Sequence, residues 1–260
     1  MSGPASLRDG WRLALGTLTA LPTPPPSVVT PAVARAAVLW GPVAVLPLGA
    51  GVLALAWLGT AVGWSPLVVA VLVVGWLALA TRVLHWDGLS DTVDGLTASY
   101  DRERSLAVMK SGTSGPAGVV ATVVVAGLQV AAFATLVSSQ AGAVAAGIAV
   151  CLSRLALPLA CVRGVPPARK DGLGHPLAGV VAPWQALLVW LVCAGVAALA
   201  LVPLGFGVAG LVAGPALAAV AVALLVTHCV RRLGGVTGDV FGAAVEIALA
   251  AALLGLSLRI

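Results

Sequence analysis

The chain repeats one pattern, apolar runs of about 20 residues, which is the length a helix needs to cross roughly 30 Å of hydrocarbon. The runs fall at 36–58, 66–84, 117–137, 141–162, 182–203, 205–227 and 240–258. With 60% of residues hydrophobic, 9% charged and a mean hydropathy of +1.10, the chain is far more apolar than a soluble core requires. In hydrocarbon every backbone N–H and C=O has to be satisfied within its own segment, so the pattern predicts an all-α, polytopic membrane helix bundle of about seven transmembrane helices. No charged region between the runs is long enough to fold by itself, and residues 1–260 read as a single integral-membrane domain. Ahead of the first run, residues 7–21 predict a short amphipathic interfacial helix, joined to the bundle by a stiff proline-rich linker at 22–26. This segment lacks a signal peptide's order of parts and is expected to belong to the mature protein.

Charge then sets orientation. Arg8, Arg12 and Arg35 precede the first run, and Arg82, Arg102, Arg104 and Lys110 lie between the second and third. Arg163, Arg169 and Lys170 follow the fourth, Arg231 and Arg232 follow the sixth, and the alternate connections carry neither Lys nor Arg. The positive-inside rule therefore predicts a cytoplasmic N-terminus and an external C-terminus, with Arg259 alone against the trend. Because the formal charge of +5 is distributed loop by loop, it reads as a topology signal and not as a nucleic-acid surface. Cys151, Cys161, Cys193 and Cys229 show no metal-ligand spacing and read as small hydrophobes. The polar clusters all open from cytoplasmic connections, which argues against a receptor for an external ligand, and a transporter would set polar groups near the midplane of several spans.

Three clusters carry chemistry. The first, residues 85–95, reads His-Trp-Asp-Gly-Leu-Ser-Asp-Thr-Val-Asp-Gly. If it is helical, Asp91 lies about 40° from Asp87 and Asp94 about 20° the other way, so the three carboxylates share a face and need a counter-charge, for which Mg²⁺ is the simplest candidate. Asp87 and Asp94 are then about 10 Å apart, too far for one ion to bind both easily. Either Asp91 is shared between two metals, or Gly88 and Gly95 let the helix start or bend. The second cluster, 234–246, sets Asp239 and Glu246 on one face where the last span leaves the cytoplasm, behind Gly234, Gly235 and Gly238, which allow a ligand close to the backbone. The third, 110–116, is a Lys-Ser-Gly-Thr-Ser-Gly-Pro loop that suits either a phosphate cradle or a flexible turn; its order is not that of a Walker loop. Arg154, set within the fourth span, is expected to pair with a carboxylate or a phosphate. Together these residues suit metal-assisted phosphoryl chemistry on an amphipathic substrate.

The first two motifs, with Thr-Ala-Leu-Pro at 19–22, the 112–118 loop, Ser153-Arg154 and Asp-Gly-Leu-Gly at 171–174, occur in this order over nearly the whole chain. They resemble the cobalamin synthase family, the adenosylcobinamide-GDP ribazoletransferases. The resemblance implies a Mg²⁺-dependent transferase of the bacterial plasma membrane, its site facing the cytoplasm. It would join α-ribazole or α-ribazole 5′-phosphate to adenosylcobinamide-GDP and release GMP, the last step of cobalamin nucleotide-loop assembly. It makes Asp87, Asp91, Asp94 and Asp239 catalytic metal ligands with Glu246 assisting, and gives substrate binding to Arg154, Lys110, Gly235, Thr237, Gly238 and His85. The expected partners are the two substrates and the lipid bilayer, without nucleic acid, and a homo-oligomer stays open. A CDP-alcohol phosphotransferase uses similar aspartates, but its motif continues to Ala-Arg and two further aspartates that this chain lacks after Gly95. A transporter would explain the spans and would make no GMP.

Overall fold

The structure, a computed structural model, describes residues 3–258, so Arg259 lies outside the described residues. The described chain is helical and contains no sheet. Its helices are α1 (Pro4–Leu18), α2 (Pro31–Ala44), α3 (Leu46–Val62), α4 (Pro66–Ala80), α5 (Leu84–Ala98), α6 (Arg102–Met109) and α7 (Pro116–Leu136). There follow α8 (Gln140–Ser153), α9 (Ala156–Ala160), α10 (Gly174–Leu177), α11 (Pro183–Leu201), α12 (Val208–Leu233) and α13 (Gly238–Leu256). Proline opens α2, α4, α7 and α11, where its missing N–H has no intrahelical partner to lose.

Six stretches are long and apolar enough to cross a membrane: α2–α3, α7, α8–α9, α11, α12 and α13. A seventh results if α4 and α5 are counted together. α13 and α8–α9 are the central helices, with 78% of each apolar stretch buried, against 17–22% for α7, α11 and α12. Composition explains the ranking. Lipid is as apolar as leucine, so helices associate through close packing of small residues, and α13 buries Gly242, Ala243, Ala244, Ala248 and Ala252. The outer helices turn Leu187, Leu199, Val208 and Leu224 outward. Pro158 cannot donate to the carbonyl of Arg154, and there the fourth span breaks into α8 and α9.

Residues 7–21 are expected to lie at an interface; the helix that forms, α1, is seated on α2. Ala14 packs with Ala37 and Ala44, and Trp11 meets Trp40 edge to face at 5.7 Å. The larger departure concerns the run 66–84, expected as one straight span. The helix stops at Ala80 and the chain turns through 89° into α5. Arg82 and Val83, at φ +56° and +60°, make the elbow, a conformation that costs a non-glycine residue about 1–2 kcal/mol. Tertiary bonds hold it, from Arg82 Nη2 to the carbonyl of Gly16 at 2.6 Å and from the Ala20 N–H to the carbonyl of Ala80 at 2.6 Å. As a result α5 lies across one end of the bundle, over the N-termini of α7 and α13.

Candidate active site

α5 is one unbroken helix, so its three aspartates do share a stripe, and the stripe runs from open to closed. Asp87 is exposed, Asp91 partly buried and Asp94 buried. At the closed end, Asp94 Oδ2 accepts from the Gly115 N–H at 2.7 Å and Oδ1 from the Gly118 N–H at 2.8 Å. Gly115, the residue that precedes α7, has no side chain to cap the helix with, and Asp94 supplies the missing acceptor from α5. Both glycines are needed, because a Cβ on Gly118 would stand 2.3 Å from Asp94 Oδ2 and one on Gly115 2.5 Å from Oδ1. The N-terminal amides that the 110–116 loop offers to a phosphate are thus taken by a carboxylate of the chain. At this same C-terminal end of α5, Arg232 donates to the carbonyls of Leu96 and Ser99 and lies over the ring of Tyr100.

α13 meets the open part of the stripe. Gly88 lies against the backbone of Asp239, where a Cβ would fall 2.6 Å from its carbonyl oxygen, and Gly242 lies against His85. This crossing brings the Asp239 carboxylate to Asp87 and Asp91. Burial, followed by the charges of Asp87, Asp239 and Asp94, pushes the Asp91 carboxyl up to about 6. Thr237 caps α13 by accepting from the Val240 N–H and donates to Asp239 Oδ2 at 3.1 Å. That oxygen also receives Arg169 Nη2 at 3.0 Å. Among the described residues no three His, Cys, Asp or Glu side chains converge on one point, so the carboxylates face one another without closing into a finished cage.

Asp87, Asp239, Arg169, His85 and Gly238 line a cavity of about 190 Å³, bounded by Thr17 and Leu18 of α1, Leu157 of α9, and Asp171 to Leu173 in the loop before α10. Gly235 lies outside it, packed on the backbone of Pro166 and Ala168. Lys110 stands at the exposed rim, 2.6 Å from Asp171 Oδ2, and this hydrogen bond holds the Asp171 carboxyl below the ordinary range.

Beneath the cavity lies a second polar group. Glu246, two turns deeper in α13, accepts from Gln129 Nε2 at 2.8 Å, and its other oxygen lies 3.8 Å from His85 Nδ1. Arg154, 2% exposed, donates to the carbonyl of Val150 and to Ser153 Oγ. No carboxylate lies within ion-pair distance of it among the described residues. The structure therefore gathers Asp87, Asp239, Gly238 and His85 at the cavity, sets Asp91 behind them on the α5 stripe, assigns Asp94 to α7, and sets Glu246 and Arg154 below. The residue missed in the sequence is Arg169, which reads there as a topology marker. Its place two residues before the Asp-Gly-Leu-Gly motif at 171–174 was the available signal.

A multi-pass helix bundle with aspartates and an arginine facing one another at its end is built as an integral-membrane enzyme. The cobalamin-5-phosphate synthase family matches residues 10–257, and the chain belongs to it. Curated relatives named adenosylcobinamide-GDP ribazoletransferase include one from a Nocardioides species, 53% identical over 97% of this chain and 100% of its own length. One from Frankia casuarinae is 42% identical over 70% of this chain and 68% of its own, and one from a Roseiflexus species 38% identical over 94% and 88%. No solved structure matches the chain.

Proposed function

We propose that this chain is an adenosylcobinamide-GDP ribazoletransferase. It joins α-ribazole, or its 5′-phosphate, to adenosylcobinamide-GDP, releases GMP, and so performs the last step of cobalamin assembly. The observation that carries this reading is the meeting of Asp87 and Asp91 on α5 with Asp239 on α13, in a chain that shares its family's motifs from end to end. The ribazole hydroxyl oxygen forms the new bond to the corrinoid-side phosphorus and loses its proton to solvent, the phosphoanhydride bond breaks, and GMP leaves with the bonding electrons.

The carboxylates fit a hard divalent cation. Their donor atoms are all oxygen, and Asp91, raised first by burial and then by the charges of Asp87 and Asp239, stands in a surplus of negative charge that a cation relieves. Asp87, Asp91 and Asp239 would hold Mg²⁺, which when bound supplies charge neutralisation for the anhydride. Thr237 orients Asp239 through its hydroxyl, and the Gly88 crossing keeps the two helices in register. The loops at this end carry the chain's basic residues, which supports a cavity facing the cytoplasm from a bacterial plasma membrane.

Purified protein in lipid nanodiscs, given adenosylcobinamide-GDP, α-ribazole and Mg²⁺, should yield GMP and a corrinoid in which α-ribazole has replaced the GMP moiety, lighter than the substrate by the difference between the two, and a chelator should abolish both. Folded protein that leaves the corrinoid mass unchanged would exclude the assignment. GMP formation that survives the chelator would remove the metal from it.

A further inference from the structure

The loop between α9 and α10 crosses the mouth of the cavity as a strap, and it is pinned on both sides of one residue. On one side, the Ala168 N–H donates to the carbonyl of Val236 at 2.9 Å, the Val236 N–H donates to that of Pro166 at 3.0 Å, and Arg102 Nη2 donates to the carbonyl of Ala168 at 2.9 Å. On the other side, Asp171 is tied to Lys110. Between the pins stands Arg169, its guanidinium on Asp239. The fixed backbone leaves only the side chain free to change partner.

The charges around the cavity single this residue out. Its lining holds the carboxylates of Asp87, Asp171 and Asp239 and one guanidinium, that of Arg169. A diphosphate entering such a wall meets repulsion from every charged neighbour except this one. Of the other cations, Lys110 is two-thirds exposed and bound to Asp171, Arg154 is buried among its own helix's acceptors, and Lys170, exposed on the strap, does not line the cavity. A guanidinium offers a planar fork that matches two phosphate oxygens, where an ammonium offers a point charge.

We propose that Arg169 binds the diphosphate of the nucleotide-bearing substrate, and that its bond to Asp239 is a resting contact exchanged when the carboxylates take up a divalent cation. The inference rests on the reaction proposed above. Asp239 Oδ2 then passes from guanidinium to cation, the guanidinium passes from carboxylate to phosphate, and no charge is left bare in the cavity.

The test uses the full chain in nanodiscs, with GDP as probe and Mg²⁺ present. Arg169→Ala should weaken GDP binding at least about tenfold, the loss expected for a hydrogen bond to a charged group. It should also raise KM for adenosylcobinamide-GDP by a similar factor, with kcat changed less. The Mg²⁺ concentration that half-protects the protein against thermal unfolding should stay the same or fall, since Asp239 is freed. Arg169→Lys keeps the charge and the ion pair but loses the fork, and should still bind GDP several-fold more weakly, so it decides the matter if R169A does not survive extraction. GDP affinity and KM equal to the parent's in either folded variant would overturn the proposal and leave Arg169 a pin of the strap. If the parent binds GDP in an Arg169-dependent way yet makes no GMP from the corrinoid, it is the reaction assignment that falls.

Discussion

Two helix N-termini lie side by side beneath α5, and α5 treats them differently. At α7, the buried Asp94 accepts two backbone amides and closes the end completely. At α13, the helix supplies its own cap in Thr237, and Asp239 remains in the cavity with Asp87. The same stripe of carboxylates thus does structural work at one terminus and faces the cavity at the other. A carboxylate whose oxygens are both engaged by amides is fixed in place. One held by a threonine hydroxyl and an arginine can exchange partners.

The sharpest way to break this comparison is to neutralise one carboxylate of each kind. Asp239→Asn should lower GMP release by about a thousandfold, roughly 4 kcal/mol of barrier, while the unfolding midpoint without Mg²⁺ stays near the parent's. Asp94→Ala should do the reverse in kind. It leaves the first amides of α7 unpaired beside α5 and should cost roughly 2–4 kcal/mol of stability, read as a lower unfolding midpoint that Mg²⁺ does not restore. If D94A kept its stability and lost only activity, the two termini would be alike after all. Gly88→Ala should affect both properties, since the added methyl pushes α5 off Asp239; a loss of about 1–3 kcal/mol and a fall in rate are expected together. Lys110→Ala removes only an exposed pair at the rim, and GMP release should change less than about twofold.

Hydropathy makes the bundle legible because the bilayer imposes length and composition on every span, and the runs in the sequence match the helices closely at 117–137 and 182–203, whereas α12 runs six residues beyond 227 to take in Arg231 and Arg232. The elbow was not legible. Arg82 and Val83 carry none of the signals that announce a left-handed turn, and the conformation is held by α1, far away in sequence. Helical spacing correctly puts Asp87, Asp91 and Asp94 on one face, yet it makes them look equivalent. Only the approach of α7 distinguishes Asp94, and only the strap brings Arg169 to Asp239. Spacing likewise puts Glu246 on one face with Asp239, and the family resemblance makes it an assisting ligand, whereas in the structure Gln129, on another helix, engages one of its oxygens below the cavity.

The elbow also bears on the competition between alcohol and water. α4 has 15 residues and is about 22 Å long, against roughly 30 Å of hydrocarbon. The shortfall is met either by lipid thinning beside α4 or by α5 resting at hydrocarbon depth. Each places α5 at the membrane boundary, with its inner face turned onto the ends of α7 and α13. In the reaction proposed above, a turn that covers the anhydride with α5 would favour capture by the ribazole hydroxyl over hydrolysis.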